Sequence, residues 1–203
     1  MAEATPTPRL LLLAWQRGPD NWRRRLDGLY AIAHWRGDGR DLPLWRDPSG
    51  VLGLYHAWIA PGCLGFSSHL GTLVRLPGMI RRIERRALHE YLRLLDIAAP
   101  STIYAGVGAV PAGEGLVLDS LQPDRKTVLP TPKFPVVEAS FSDALEGLEN
   151  CLDGSIARRL THAARPAAFL SGGVDSSLLC ALSSRHRPDL EAVQYYYEKF
   201  PGL

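Results

Sequence analysis

The stretch 167–182, Ala-Ala-Phe-Leu-Ser-Gly-Gly-Val-Asp-Ser-Ser-Leu-Leu-Cys-Ala-Leu, constrains the fold more tightly than any other part of this chain. Its apolar run 167–170 reads as a buried strand entering a sheet. Gly172 and Gly173 follow at once, and Leu178, Leu179 and Leu182 then recur with the period of a helix. A strand, a glycine turn and a helix start in that order place unpaired backbone N–H groups where an anion can reach them. Glycines let the backbone approach such an anion closely. Ser171, Ser176 and Ser177 add hydroxyl donors, and Asp175 is placed to hold a Mg²⁺ bridging protein and phosphates. No Gly-Lys-Ser/Thr follows the glycines, which excludes a Walker A loop. A plainer reading stands beside this one. Gly-Gly before Asp and Ser also makes an ordinary turn and helix cap, because Asp and Ser are favoured in both. On residue chemistry alone the two readings are level.

Composition narrows the classes. A hydrophobic content of 46% against 22% charged residues is that of a folded chain rather than a disordered one. A net charge of +2 is too small to imply a nucleic-acid or membrane partner. The arginine-rich run 81–86 interleaves with Ile83 and precedes Ala87 and Leu88, so it reads as a solvated helix face. Cys63, Cys151 and Cys180 are odd in number and widely spaced, which suits buried thiols in a reducing cytoplasm. The apolar run 10–15 is too short to span a membrane. A cytoplasmic protein is expected.

Along the chain, 9–27 reads as helix, turn and short helix, broken at Gly18-Pro19-Asp20. Strands are expected over 29–35, 42–46, 52–60 and 63–67, with a hairpin turn at Gly37-Asp38-Gly39. Ala87, Leu88, Tyr91, Leu92 and Leu95 mark an amphipathic helix over 84–95, and 115–118 reads as a strand. The segment 122–139, with Pro123, Pro130, Pro132 and Pro135, reads as a linker. A helix over 140–161 carries Ala144, Leu145, Leu148, Leu152, Ile156 and Leu160 on one face, capped by Ser142-Asp143. Helix, strand, glycine loop, helix and a last strand over 190–197 make an α/β unit with a parallel sheet.

Ser171-Gly-Gly-Val-Asp-Ser-Ser177 resembles the pyrophosphate loop of the ATP pyrophosphatases, enzymes that split ATP between its α and β phosphates, and is most similar to the asparagine synthetase branch. The earlier chain resembles that family's glutaminase domain. The segments that carry the likeness are Leu26-Asp-Gly-Leu-Tyr-Ala-Ile-Ala-His-Trp35, Trp45-Arg-Asp-Pro-Ser-Gly-Val-Leu-Gly-Leu-Tyr55 and Pro100-Ser-Thr-Ile-Tyr-Ala-Gly-Val107. Gly53, His69 and Glu114 depart from the family pattern, standing where it has Pro, Glu and His.

The resemblance implies an α/β fold with an α+β first part. Residues 1–121 are expected as a partial Ntn-hydrolase-like glutaminase β-layer and 122–139 as linker. Residues 140–203 are expected as the first α/β unit of an adenine-nucleotide α-hydrolase-like parallel sheet. It implies a carbon–nitrogen ligase of asparagine synthase type. ATP adenylates a carboxylate, aspartate in the parent reaction, and ammonia from glutamine displaces AMP. Leu170, Ser171, Gly172, Gly173, Asp175, Ser176 and Ser177 are the implied ATP and pyrophosphate contacts, with Asp175 towards Mg²⁺. No catalytic residue is assigned, because the family's N-terminal cysteine nucleophile has no counterpart where residue 2 is Ala and the first cysteine is Cys63. The chain is therefore expected to be a fragment that is inactive alone and acts with a complementing chain or as a homo-oligomer. Two alternatives remain: a specialised relative such as a β-lactam synthetase or lasso-peptide cyclase, or a non-catalytic truncated binding module.

Overall fold

The computed structural model describes residues 26, 28–35, 37, 41–119, 122–129, 136–161 and 163–195. The helices expected over 9–27, most of the hairpin turn at 37–39, residues 130–135 of the linker, and Tyr196 and Tyr197 lie outside them. The chain divides into two compact units, 1–134 and 135–203.

The first unit is built on two antiparallel sheets. One has the order β1 (Ala31–Ala33), β2 (Asp41–Arg46), β6 (Gly115–Asp119), β7 (Gln122–Leu129). The other has the order β4 (Cys63–Ser67), β3 (Tyr55–Ala60), β5 (Val107–Ala109). Leu42 and Leu44 of β2 and Leu116 and Leu118 of β6 meet Leu54, Val110 and Leu64 from the ends and edge of the second sheet. Ala57 and Val107, on the opposite face of that sheet, pack on Leu73 and Val74 at the short helix α1 (Leu70–Leu73). The layering is sheet, sheet, helix. Leu42 and Leu44 of β2 and Leu116 and Leu118 of β6 alternate along their strands and so share one face of their sheet, the face that is buried.

β7 corrects the expectation of a linker beginning at Gln122. It pairs antiparallel with β6, Leu116 opposite Val128 and Leu118 opposite Lys126. The strand lies at the edge of its sheet, where one side of the backbone needs no partner, so Pro123 is tolerated.

The Arg46-Asp47 pair shows why that segment resembles a motif. Asp47 is fully buried, and its Oδ1 accepts from the amides of Ser49 and Gly50, each at 3.0 Å, and from the Ser49 hydroxyl. Arg46 fans onto three carbonyls, those of Leu52 at 2.7 Å, Val110 at 3.0 Å and Gly50. Together they fold the turn after β2 and tie it to the end of β5. A close approach explains Gly108, which stands opposite His56 in the ladder. A Cβ there would lie 2.6 Å from the His56 ring.

The helix α2 (Arg85–Leu94) starts on Glu84, whose carboxylate accepts from the Arg86 amide at 3.4 Å, and ends on Leu95 in the left-handed conformation. Of its expected apolar face only Ala87 is buried; Leu88, Tyr91, Leu92 and Leu95 stay exposed.

The second unit has α3 (Phe141–Leu160), β8 (Ala167–Phe169), α4 (Val174–His186) and β9 (Glu191–Val193). β8 and β9 pair in parallel, Phe169 opposite Val193, with α4 as the crossover. The cap of α3 is Ser140, not Ser142-Asp143: its Oγ accepts from the Asp143 amide at 3.2 Å. Only Ile156 of the expected α3 stripe is buried, and Leu145 and Leu148 are more than half exposed. Strand β8 is not the buried strand expected, since Phe169 is 67% exposed. A two-stranded sheet has too few neighbours to cover either face. Among the described residues no helix is long and apolar enough to cross a membrane.

Candidate pyrophosphate site

The loop between β8 and α4 is held at both ends. On the strand side the Leu170 amide donates to the Val193 carbonyl at 2.8 Å, extending the β8–β9 ladder past Phe169. On the helix side Cys180, two turns into α4, places its Sγ 3.8 Å from the Phe169 carbonyl. The turn is made at Gly172, whose φ of +85° lies in the left-handed region that side-chain-bearing residues avoid. A Cβ at Gly172 would meet nothing within 4 Å, so the demand for glycine there is conformational and the space above the loop is open. Gly173 is the N-cap of α4 and offers no side chain to its amides. The first turn of a 13-residue helix thus faces solvent uncapped, with its dipole favouring negative charge.

The serines fold inwards onto the loop. Ser176 Oγ accepts from the Ser171 amide at 3.2 Å, lies 3.0 Å from Ser171 Oγ and donates to the Gly173 carbonyl at 3.1 Å. The Ser177 hydroxyl donates to the same carbonyl at 2.8 Å, and the Ser177 amide reaches it at 3.1 Å. Ser171 Oγ also accepts weakly from the Gly173 amide at 3.4 Å. The structure therefore brings Ser171, Gly173, Ser176 and Ser177 into one hydrogen-bonded knot, with Gly172 at its apex and Leu170 in the strand behind it. Asp175 stands on the first turn of α4, exposed, with no ion pair or side-chain hydrogen bond among the described residues. No group of three or more potential metal ligands occurs among the described residues.

Residue reasoning passed over Arg187. This C-cap of α4 reaches back to the end of α3, donating to the carbonyls of Ala163 at 2.8 Å and Leu160 at 3.3 Å. It also grips both carboxylate oxygens of Asp189, at 2.8 and 2.7 Å. The hydrogen bond from Arg187 holds the Asp189 carboxyl below its ordinary range. An Arg two residues before an Asp, astride a proline at a helix end, is the sequence signal of this clamp. Arg185–Glu149 at 3.7 Å and His186–Asp153 at 2.7 Å add exposed contacts between the same two helices.

The glutamine amidotransferase domain family matches residues 4–127, and the asparagine synthase family matches 147–202, the region that contains the loop. The chain belongs to the asparagine synthetase family. It is 32% identical over 174 residues to a putative glutamine-hydrolyzing asparagine synthetase of Mycobacterium bovis, an alignment covering 82% of this chain and 26% of that protein. Asparagine synthetase 1 of Bacillus subtilis is 24% identical over 193 residues, covering 94% of this chain and 30% of the relative. The chain thus spans between a quarter and a third of the length of these curated relatives. The two matches follow the order of the two units, the amidotransferase match falling on the paired antiparallel sheets and the synthase match on the β8–α4–β9 unit.

Proposed function

We propose that this chain supplies the pyrophosphate-holding loop of an ATP-dependent, asparagine synthetase-type ligase. The observation that carries the reading is the uncapped start of α4 behind a left-handed glycine, at the end of a strand in a parallel pair. Helix amides presented in this way bind phosphate oxygens without further charge. In the proposed reaction a carboxylate oxygen of the acceptor, aspartate in the parent case, attacks the α-phosphorus of ATP. The bond to the β-phosphate bridging oxygen breaks, and pyrophosphate leaves. Ammonia then attacks the acyl-adenylate carbonyl and AMP departs, leaving an amide.

Charge builds on the leaving pyrophosphate, and preorganised amides lower the barrier because they need not reorient as it develops. Ser171, Gly172, Gly173, Ser176 and Ser177 hold this edge of the ATP, and Leu170 borders the nucleotide. Asp175 is the residue to hold Mg²⁺. One protein carboxylate completed by phosphate oxygens and water is an ordinary Mg²⁺ set, and the ion neutralises phosphate charge. Glutamine as ammonia source and a complementing chain or second copy belong to the same proposal, as does a cytoplasmic setting, which suits three free thiols.

Calorimetry with Mg·ATP and with Mg·pyrophosphate tests the reading on the whole chain. Saturable binding is expected, lost in Gly172→Val and weakened in Asp175→Ala, with circular dichroism of both variants unchanged. A folded chain that binds neither ligand, or binds them equally well with valine at position 172, overturns it.

A further inference from the structure

We propose that the exposed face of α2 is a docking surface for an acidic amphipathic helix of another polypeptide. Leu88, Leu92 and Leu95 line up along α2 and its C-cap and are 40%, 70% and 78% exposed. Beside that strip, at the spacing i, i+4, i+8, run Arg85, His89 and Arg93, with Arg86 alongside. The arginine side chains make no ion pair or hydrogen bond among the described residues. The nearby acids are not their partners: Glu84 caps the helix and Glu90 accepts from the Ala98 amide at 2.9 Å. An apolar strip flanked by unpaired guanidinium groups is complementary to a segment that presents leucine or phenylalanine beside glutamate.

A second feature favours a peptide over an anionic lipid surface. Tyr91 and Leu95 continue from the strip into a cavity of about 490 Å³, walled also by Tyr55, Leu70, Ile97 and Ile103. A side chain of a docked helix fills such a recess and becomes the anchor of the interface, whereas a flat headgroup layer leaves it empty. Arg46 and Asp96 also line the cavity; Arg46 is committed to three backbone carbonyls, so with the Asp96 carboxylate beside it the recess takes an apolar anchor of the partner and not one of its glutamates. The surface lies wholly in the first unit, so its test is independent of the nucleotide site.

The experiment is fluorescence anisotropy of the whole chain with a panel of labelled helical peptides. Their glutamates are placed at i, i+4 beside leucine or phenylalanine at i, i+3, i+7, and each has a lysine-for-glutamate twin. The expected result is saturable binding of acidic members, weakening as salt rises from low to high ionic strength. The Arg85→Glu/Arg93→Glu double variant should bind the acidic peptide at least about tenfold less well and prefer its lysine twin, as reversed charges repel. Leu92→Ser should also weaken it, and Tyr91→Ala should weaken the phenylalanine members most. All these positions are exposed, and circular dichroism checks that the variants stay folded. If no acidic peptide outbinds its lysine twin, or the charge-reversed variant binds as the parent does, the proposal is overturned. Co-sedimentation with phosphatidylserine vesicles without peptide binding overturns it too, in favour of a lipid surface.

Discussion

At the residue scale the loop between β8 and α4 rests on Gly172 and Ser176, for different reasons. Gly172 supplies a backbone conformation, at φ +85°, that an L side chain adopts only with strain. Ser176 supplies bonds, since it is the hydroxyl that links the Ser171 amide to the Gly173 carbonyl. Replacing it by alanine removes both, while Ser177→Ala removes one donor to a carbonyl that retains two others. Exposed hydrogen bonds of this kind are worth about 0.5–1.5 kcal/mol each. Ser176→Ala, which loses two such bonds, should therefore weaken Mg·ATP by about fivefold to a hundredfold and Ser177→Ala less, at about 1.4 kcal/mol per decade. Calorimetry that ranks Ser177→Ala as the more damaging would mean that direct contact between Ser177 and the ligand outweighs the loop bonds made by Ser176. The motif named these serines from their spelling in the sequence. Their inward-turned knot could not be read there, because a hydroxyl's partner depends on the loop's backbone course.

At the element scale the same contrast recurs. Strands β2, β3, β4 and β6 and helix α3 lie within a few residues of where period and punctuation put them. Local chemistry is enough for that. β7 was hidden, because Gln-Pro-Asp-Arg-Lys-Thr shows no apolar alternation and its place at a sheet edge is a property of its neighbours. Arg187 was hidden as well, since its three partners come from α3, the segment after it, and Asp189. That clamp makes a pH prediction. The Asp189 carboxyl is depressed in the folded chain, chiefly by its hydrogen bond from Arg187. Its stabilising contribution is then present above the unfolded carboxyl value of about 3.9 and is lost as pH falls through the lower folded value. The melting temperature of Asp189→Asn should lie below that of the parent at pH 6, and the gap should close below pH 4. A gap that persists unchanged to pH 2 would assign the effect to something other than the charge.

At the scale of the whole molecule the two units differ in how they are held together. The first unit buries Leu42, Leu44, Leu73, Val110 and Leu118 almost completely between its layers. In the second, the buried apolar side chains among the described residues are Ile156, Pro166 and Leu182, while Phe141, Leu145, Leu148, Phe169 and Val174 are exposed. Burial of apolar area is the main term that opposes chain entropy, so the second unit is the weaker. Two optical probes separate them. All five tryptophans, at positions 15, 22, 35, 45 and 58, belong to the first unit. Among the described residues the long helices belong to the second, 20 residues in α3 and 13 in α4, against 10 in α2. In urea the ellipticity at 222 nm should therefore begin to fall at lower denaturant than tryptophan fluorescence changes. Coincident transitions would mean one cooperative fold. Mg·ATP, by binding only the folded loop, should move the ellipticity transition towards the fluorescence one, by an amount set by ligand concentration over Kd. If the first transition ignores Mg·ATP that calorimetry has shown to bind, the ligand sits elsewhere than at the start of α4.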